Sequence, residues 1–401
     1  MINTIRKAFK FRLYPTPEQE GTLASFFGQG RFVYNYFLRK RIDYYAKNIS
    51  KDKKSLNYHD TARMLTELKQ KPEFVWLNES NAQSLQQSLR DLDAAYSHFF
   101  NDGARFPAFK KKRDRQSFRV PQYFAVDVEN GCLQIPKMRP IKTIFHRKPE
   151  GIPKNVTISM NPSSKYFASV LCEIEKDIKP KRKGKKIGID LGLKSFLVAS
   201  DGERVESPKF LRTSKDKLKH LQRQLSRKKK GSQNRNKARI KVARIYEKIT
   251  NQRVDFLHKL SHRLVSENQA IFAEDLNVKG IMANHHLAKS VSDSGWGEFI
   301  RQLRYKSEWN GVLFGQIDRF FPSSKRCNAC GWINESLTLN DREWDCKDCG
   351  SIIDRDLNAA QNILLFGQKQ IPWEPRKSTP GERRCMKAPH RTRKPCPLRR
   401  R

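Results

Sequence analysis

Two Cys-x-x-Cys pairs set fifteen residues apart, Cys327/Cys330 and Cys346/Cys349, constrain this chain more than any other feature. Each pair places two thiolates on one side of a tight knuckle, and two knuckles complete a tetrahedron. Residues 326–350 are therefore expected to fold as a small ribbon around Zn²⁺. Protein fills all four positions, so the metal is expected to be structural. A redox role is the competing reading, and two matched pairs at this spacing speak against it. Trp332 and Trp344 are expected to pack over a ribbon with little core of its own. Cysteines committed to metal rather than disulfides fit a reducing compartment. Cys132, Cys172, Cys385 and Cys396 are isolated and receive no role.

Charge narrows the partners. Lys and Arg number 81 against 41 acidic residues, a net +40 spread over most of the chain. Such a surface repels itself unless a polyanion covers it, and nucleic acid is the natural counter-charge. No uninterrupted apolar run reaches the roughly 18 residues of a membrane span. The N-terminus alternates basic and apolar residues and lacks a signal peptide's apolar block. These features predict a cytoplasmic protein with no membrane partner. At 401 residues and 37% hydrophobic content, the chain can build two or three real cores.

The hydrophobic pattern suggests an order of elements. Lys7 to Leu13 alternates like a strand, Pro15-Thr-Pro17 breaks it, and Thr16 or Glu18 can start a helix. The pattern is then helical to about Phe100, with Leu85, Leu89, Leu92, Tyr96 and Phe99 on one face and Gln83, Gln86, Gln87 and Arg90 on another. In Arg105 to Arg113, aromatics sit among basic residues, including Lys110, Lys111 and Lys112, which suits a strip gripping a nucleic-acid backbone. A solvated linker is the plainer alternative. Residues 115–179 turn β-like and predict a small barrel that takes in the N-terminal strand. The basic run Lys179 to Lys186 marks a domain boundary. A hairpin over Ile187 to Ser200 follows, then long basic helices with an exposed tip at Arg227, Lys228, Lys229 and Lys230. Ala270 to Leu276 reads as a strand ending in acid. Beyond Ile371, Pro, Lys and Arg dominate, which predicts disorder.

Three acids form the second constellation. Asp190 ends a strand within Gly-Ile-Asp-Leu-Gly, Glu274 ends Ile-Phe-Ala-Glu-Asp-Leu, and Asp356 opens Asp-Leu-Asn-Ala-Ala-Gln-Asn-Ile. Singly, each has a plain explanation as a turn residue or helix cap. Together, converging carboxylates need cations between them, and hard oxygen ligands select Mg²⁺ or Mn²⁺. Two such ions suit phosphodiester hydrolysis. No nucleophile elbow or phosphate-cradling loop competes.

The order Asp, Glu, zinc ribbon, Asp-x-Asn-Ala-Ala resembles the TnpB (OrfB-type) family of insertion-sequence proteins, relatives of the type V CRISPR nucleases. So do Phe11-Arg-Leu-Tyr-Pro15, Arg31-Phe-Val-Tyr-Asn35, Phe256-Leu-His-Lys-Leu260, Ser290 to Phe299 and Phe321-Pro-Ser-Ser-Lys325. The resemblance spans the chain to about Phe366. It implies a multidomain α+β protein with a RuvC (RNase H-like) nuclease core. In that scheme a β-barrel wedge takes 1–14 and 114–180, and a helical recognition domain takes 15–113. RuvC takes 181–325 and 351–370, the inserted zinc ribbon 326–350, and a disordered basic tail 371–401.

The resemblance also implies the catalytic triad Asp190, Glu274 and Asp356 holding two Mg²⁺ or Mn²⁺ ions. Asp354 is the alternative third acid, since Asp-Arg-Asp offers two. Its implied partners are a guide RNA from the transposon end and target DNA beside a short flanking motif, held by a monomeric protein in a ribonucleoprotein of the bacterial cytosol or nucleoid. Guide pairing reads most of the sequence, so the protein must grip a heteroduplex and a structured RNA by their backbones, which accounts for the charge. The polar faces around residues 58–90 put Tyr58, Gln83 and Gln86 near the flanking-motif DNA. The alternatives are a transposase acting directly on DNA and a non-catalytic nucleic-acid-binding regulator. The acid order Asp–Glu–Asp, with the last acid on a helix, favours the RuvC type over the first.

Overall fold

The structure, a computed structural model, describes residues 2–48, 55–338 and 341–370. The tail expected to be disordered lies outside the described residues. The chain divides into two compact units. One comprises residues 1–181, 208–266 and 281–311, and the other 182–207, 267–280 and 312–401. The first break falls inside the basic run at Lys179 to Lys186.

The first unit is built on a seven-stranded sheet. Its strands are β1 (Ile2–Tyr14), β2 (Gln116–Val120), β3 (Ala125–Asp127), β4 (Cys132–Gln134), β5 (Ile141–Ile144), β6 (Ile152–Met160) and β7 (Tyr166–Asp177), in the order β2-β6-β7-β1-β5-β4-β3. Of the expected barrel, the described residues show a half-barrel sheet whose end strands, β2 and β3, are not paired with each other. Its pairings are antiparallel, and β1 runs along β7 from Ile2↔Asp177 to Leu13↔Tyr166. Alternation works as anticipated, because Phe9, Phe11 and Leu13 share one face and all are buried.

Helix α1 (Pro17–Lys47) starts at Thr16, whose side chain forms a capping box with Gln19. Phe26 and Phe27 set it on the sheet through Phe118. Further along, Val33, Phe37 and Leu38 pack with α2 (Tyr58–Leu68) and with Leu85, Leu89 and Leu92 of α3 (Ala82–Asn101). The same unit holds α4 (Phe210–Thr213), α5 (Lys215–Ser226), the 35-residue α6 (Gln233–Glu267), α8 (His285–Ser294) and α9 (Trp296–Asn310). Glu247 on α6 accepts from Asn161, Ser163 and Lys165, each at 2.9 Å, which ties the β6–β7 turn to this helix.

The second unit carries β8 (Lys185–Asp190), β9 (Ser195–Ala199), β10 (Arg204–Glu206), β11 (Asn268–Glu274) and β12 (Leu313–Ile317), ordered β10-β9-β8-β11-β12. The first three pair antiparallel as a meander, while β8, β11 and β12 run parallel. A short helix α7 (Val278–Ala283) begins in this unit, and α10 (Arg355–Gln370) covers β8. Strands β13 (Glu343–Asp345) and β14 (Ile352–Asp354) pair in the ribbon. Among the described residues no helix is long and apolar enough to cross a membrane.

Candidate active site

Sheet register brings the first two acids together. Strands β8 and β11 are parallel neighbours with Ile189 opposite Ala273, so the next residues, Asp190 and Glu274, end their strands abreast. Parallel neighbours in register lie roughly 5 Å apart and present the same face. The third acid arrives on α10. A Cβ on Gly188 would lie 2.2 Å from the Ala360 carbonyl oxygen and 2.6 Å from Leu364 N, so only glycine lets the helix backbone lie on β8. Gly188 shares the Asp190 face, and Asp356 stands one helical turn before Ala360.

Electrostatics records the convergence. Burial pushes Asp190 up to about 7, the Glu274 and Asp356 carboxylates add to this, and Arg355 opposes it. Glu274 is also raised, by burial and then by Asp275. A trio of carboxylates short of positive charge is a donor set that fits hard divalent cations.

Asp354 plays another part. Its Oδ1 accepts the Leu357 N–H at 2.9 Å, capping α10, and its Oδ2 meets Arg204 at 2.6 Å. Asp356 stands in the first turn, and among the described residues its ion pair is the longer contact with Arg342 at 3.6 Å. The structure therefore groups Asp356, not Asp354, with Asp190.

The four cysteines also come together, with their Sγ atoms all within 4.8 Å of one another. Cys330–Cys346 and Cys327–Cys349 lie 3.5 and 3.7 Å apart, near the roughly 3.8 Å edge of a tetrahedron with 2.3 Å Zn–S bonds. The two knuckles are built alike. Gly331 (φ 86°) and Gly350 (φ 69°) follow each second cysteine and donate N–H to the carbonyls of Cys327 and Cys346 at 2.9 and 2.8 Å. That left-handed turn suits glycine, and Cys-x-x-Cys-Gly was readable in the sequence. Trp332 and Trp344 join Leu337 and Ile353 in the ribbon's small core, as expected.

Two buried asparagines that sequence reasoning passed over link ribbon and acids. Asn358 accepts from Asn328 N at 3.0 Å and donates to the Arg326 carbonyl at 2.7 Å. Asn362 donates to the Ser323 carbonyl at 2.8 Å. The first knuckle is thereby fastened to the helix that carries Asp356.

The residues expected to touch nucleic acid all lie in the first unit. Tyr58 is half-buried against the helical core, with the Arg90 guanidinium 4.9 Å from its ring. Gln86 is exposed. Gln83 lines a cavity of about 410 Å³ with Asn78, Asn81, Tyr123 and Lys137. Lys110 stands over the Tyr34 ring at 3.9 Å, and Lys111 and Lys112 are exposed. Arg227 to Lys230 are exposed in the turn between α5 and α6.

With this geometry in hand, kinship can be stated. A family profile described as "Probable transposase" (OrfB_IS605) matches residues 169–285, and a "Cas12f1-like, TNB domain" profile matches 296–363. A protein of Streptomyces pristinaespiralis described as "Putative RNA-guided DNA endonuclease" is 40% identical over 92% of this chain and 90% of its own length. The Escherichia coli K12 protein InsQ, described in the same words, is 35% identical over 90% and 92%. The chain belongs to the TnpB family. Its fold also resembles the protein of a solved Cas12f1–sgRNA–target DNA complex, with TM-score 0.51 and 14% identity over 90% of this chain and 98% of that one. A further profile, described as "Helix-turn-helix domain", matches 1–50. In this TnpB-family chain, residues 2–48 instead form one strand and one 31-residue helix.

Proposed function

We propose that this chain is an RNA-guided DNA endonuclease of the RuvC type that hydrolyses target DNA beside a short flanking motif. The observation that carries the reading is the placement of Asp190 and Glu274 at abreast ends of parallel strands β8 and β11, with Asp356 opening the helix that lies on Gly188. A five-stranded sheet ordered as a meander joined to parallel strands supports an RNase H-like core. Asp190, Glu274 and Asp356 would hold two Mg²⁺ or Mn²⁺ ions. Bound there, such ions activate water and stabilise the departing 3′ oxygen of a phosphodiester. The chain's own part is to hold three oxygen ligands in one place on two strand ends and a helix start, and to fix that helix through Asn358 and Asn362. The cysteine ribbon would take zinc as a structural ion.

The remaining charge serves the partners, a guide RNA from the transposon end and target DNA bound by one protein copy. Flanking-motif reading fits the cavity at Gln83. There the buried Gln83 Oε1 and Ser80 Oγ have no hydrogen-bond partner among the described residues, and Tyr123 and Lys137 both hold positive φ.

The experiment is to purify the protein from cells carrying its native flanking DNA, sequence the RNA that accompanies it, and offer matched targets. One abundant RNA with a constant scaffold and a variable 3′ end, together with matched cleavage, is expected. Target cutting without RNA would favour the direct transposase.

A further inference from the structure

The C-terminal end of α3 carries an aromatic group that the nuclease reading leaves unused. Helix α3 runs out at Asn101, and the Asp102 and Ala104 N–H groups both bond back to the His98 carbonyl at 3.1 Å. This reversal returns Phe106 to the helix, where its ring stands edge-on to Tyr96 at 5.6 Å and to Phe99 at 5.3 Å. Phe100 lies nearly parallel to Tyr96, at 20° and 6.3 Å, and contacts Phe99 at 5.0 Å. The four rings brace one another, yet Phe100 is 71% exposed and Phe106 48%.

Basic residues follow in the chain. Arg105, Lys111, Lys112 and Arg113 are exposed along the next strip, and Arg39 stands over Phe109 at 5.5 Å, while Arg41, over Tyr96, is buried and paired with Asp93 at 2.7 Å. Exposed, mutually fixed rings bordered by positive charge match the two needs of an unpaired nucleotide, a stacking surface and a phosphate counter-charge.

We infer that Phe100 and Phe106 form a stacking platform for unpaired nucleotides of the bound guide RNA. The inference rests on the guide-RNA reading above. It assigns RNA because a permanently exposed aromatic patch calls for a resident cover, and the guide stays with the protein between targets whereas target DNA comes and goes. Single-stranded RNA is also the form whose bases are free to stack on aromatic side chains.

The test is ultraviolet crosslinking of the full chain with its accompanying RNA, without target DNA, followed by peptide mapping of nucleotide adducts. Ribonucleotide adducts on Phe100 or Phe106 are expected. Replacing both residues with Ala should lower affinity for single-stranded oligouridine roughly tenfold or more, leave a blunt RNA duplex unaffected, and be rescued by Trp at both positions. Phe100 is largely solvent-facing and Phe106 about half exposed, so circular dichroism should find the variants folded. Adducts only at other residues, adducts here only after target DNA is added, or unchanged oligouridine binding would overturn the platform while leaving guided cleavage standing. A chain that carries no RNA at all would overturn both.

Discussion

The four cysteines and the three carboxylates sit in the same compact unit and meet a similar demand by opposite routes. The thiolates are local: each knuckle is closed by a glycine N–H donating to its own first cysteine carbonyl, and the β13–β14 hairpin carries the second knuckle as its turn. The carboxylates are remote, and only the parallel register of β8 with β11 and the seat of α10 on Gly188 assemble them. A local site is legible as spacing. A site assembled by register is legible only as separate acids until the fold is known. The difference also shows in electrostatics, because the acids gather at a cost that burial and mutual repulsion write into Asp190.

The sharpest way to break this comparison is at the paired acids of Asp-Arg-Asp. Asp356→Ala should reduce guided cleavage on the order of a thousandfold, the loss expected when several kcal/mol of metal-assisted stabilisation disappears. Asp354→Ala should keep measurable cleavage and cost about 1 kcal/mol of stability through the lost helix cap, read by denaturant unfolding. Next comes the link between the two sites. Cys330→Ser should lower zinc content and reduce cleavage about 10–100-fold, since the first knuckle holds α10 through Asn358.

A third expectation concerns pH. With Asp190 raised from 3.8 to about 7, the folded chain without divalent cations holds a proton that the unfolded chain releases. Stability should therefore fall as pH rises from about 4 to 7 and then level off. Asp190→Asn should reduce that slope, leaving the smaller contribution of Glu274, and stabilise the cation-free protein above pH 7 by on the order of a few kcal/mol. Thermal melts from pH 4.5 to 8 would read it. Gly188→Ala should cost about 1–3 kcal/mol by lifting α10 and should depress cleavage without altering zinc content.

Much of the fold could be read in advance where periodicity is strong. The alternation Phe9, Phe11, Leu13 and the stripe Leu85, Leu89, Leu92 became buried faces, and the cap at Thr16 marked a helix start. The barrel was legible only in part, as a half-barrel sheet, because which end strands meet gives no periodic signal in the short β3 and β4. Nor did the sequence reveal that the long helices of 208–266 group with the first sheet. Of the site, the residue types were plain and Asp356 was the chosen third acid, but the capping role of its neighbour Asp354 shows only in the fold. Asn358 and Asn362 went unread because their role lies in carbonyl groups of another segment. Tyr58, expected near the flanking-motif DNA, has its ring half-buried against the helical core.

If Asp190, Glu274 and Asp356 form one catalytic centre, it shows in guided cleavage of a matched, motif-flanked DNA by wild type and Asp190→Ala, with equal RNA loading and saturating Mg²⁺. Asp190→Ala should bind the target normally and leave it uncut. Cleavage by Asp190→Ala at the wild-type rate would contradict a single catalytic centre.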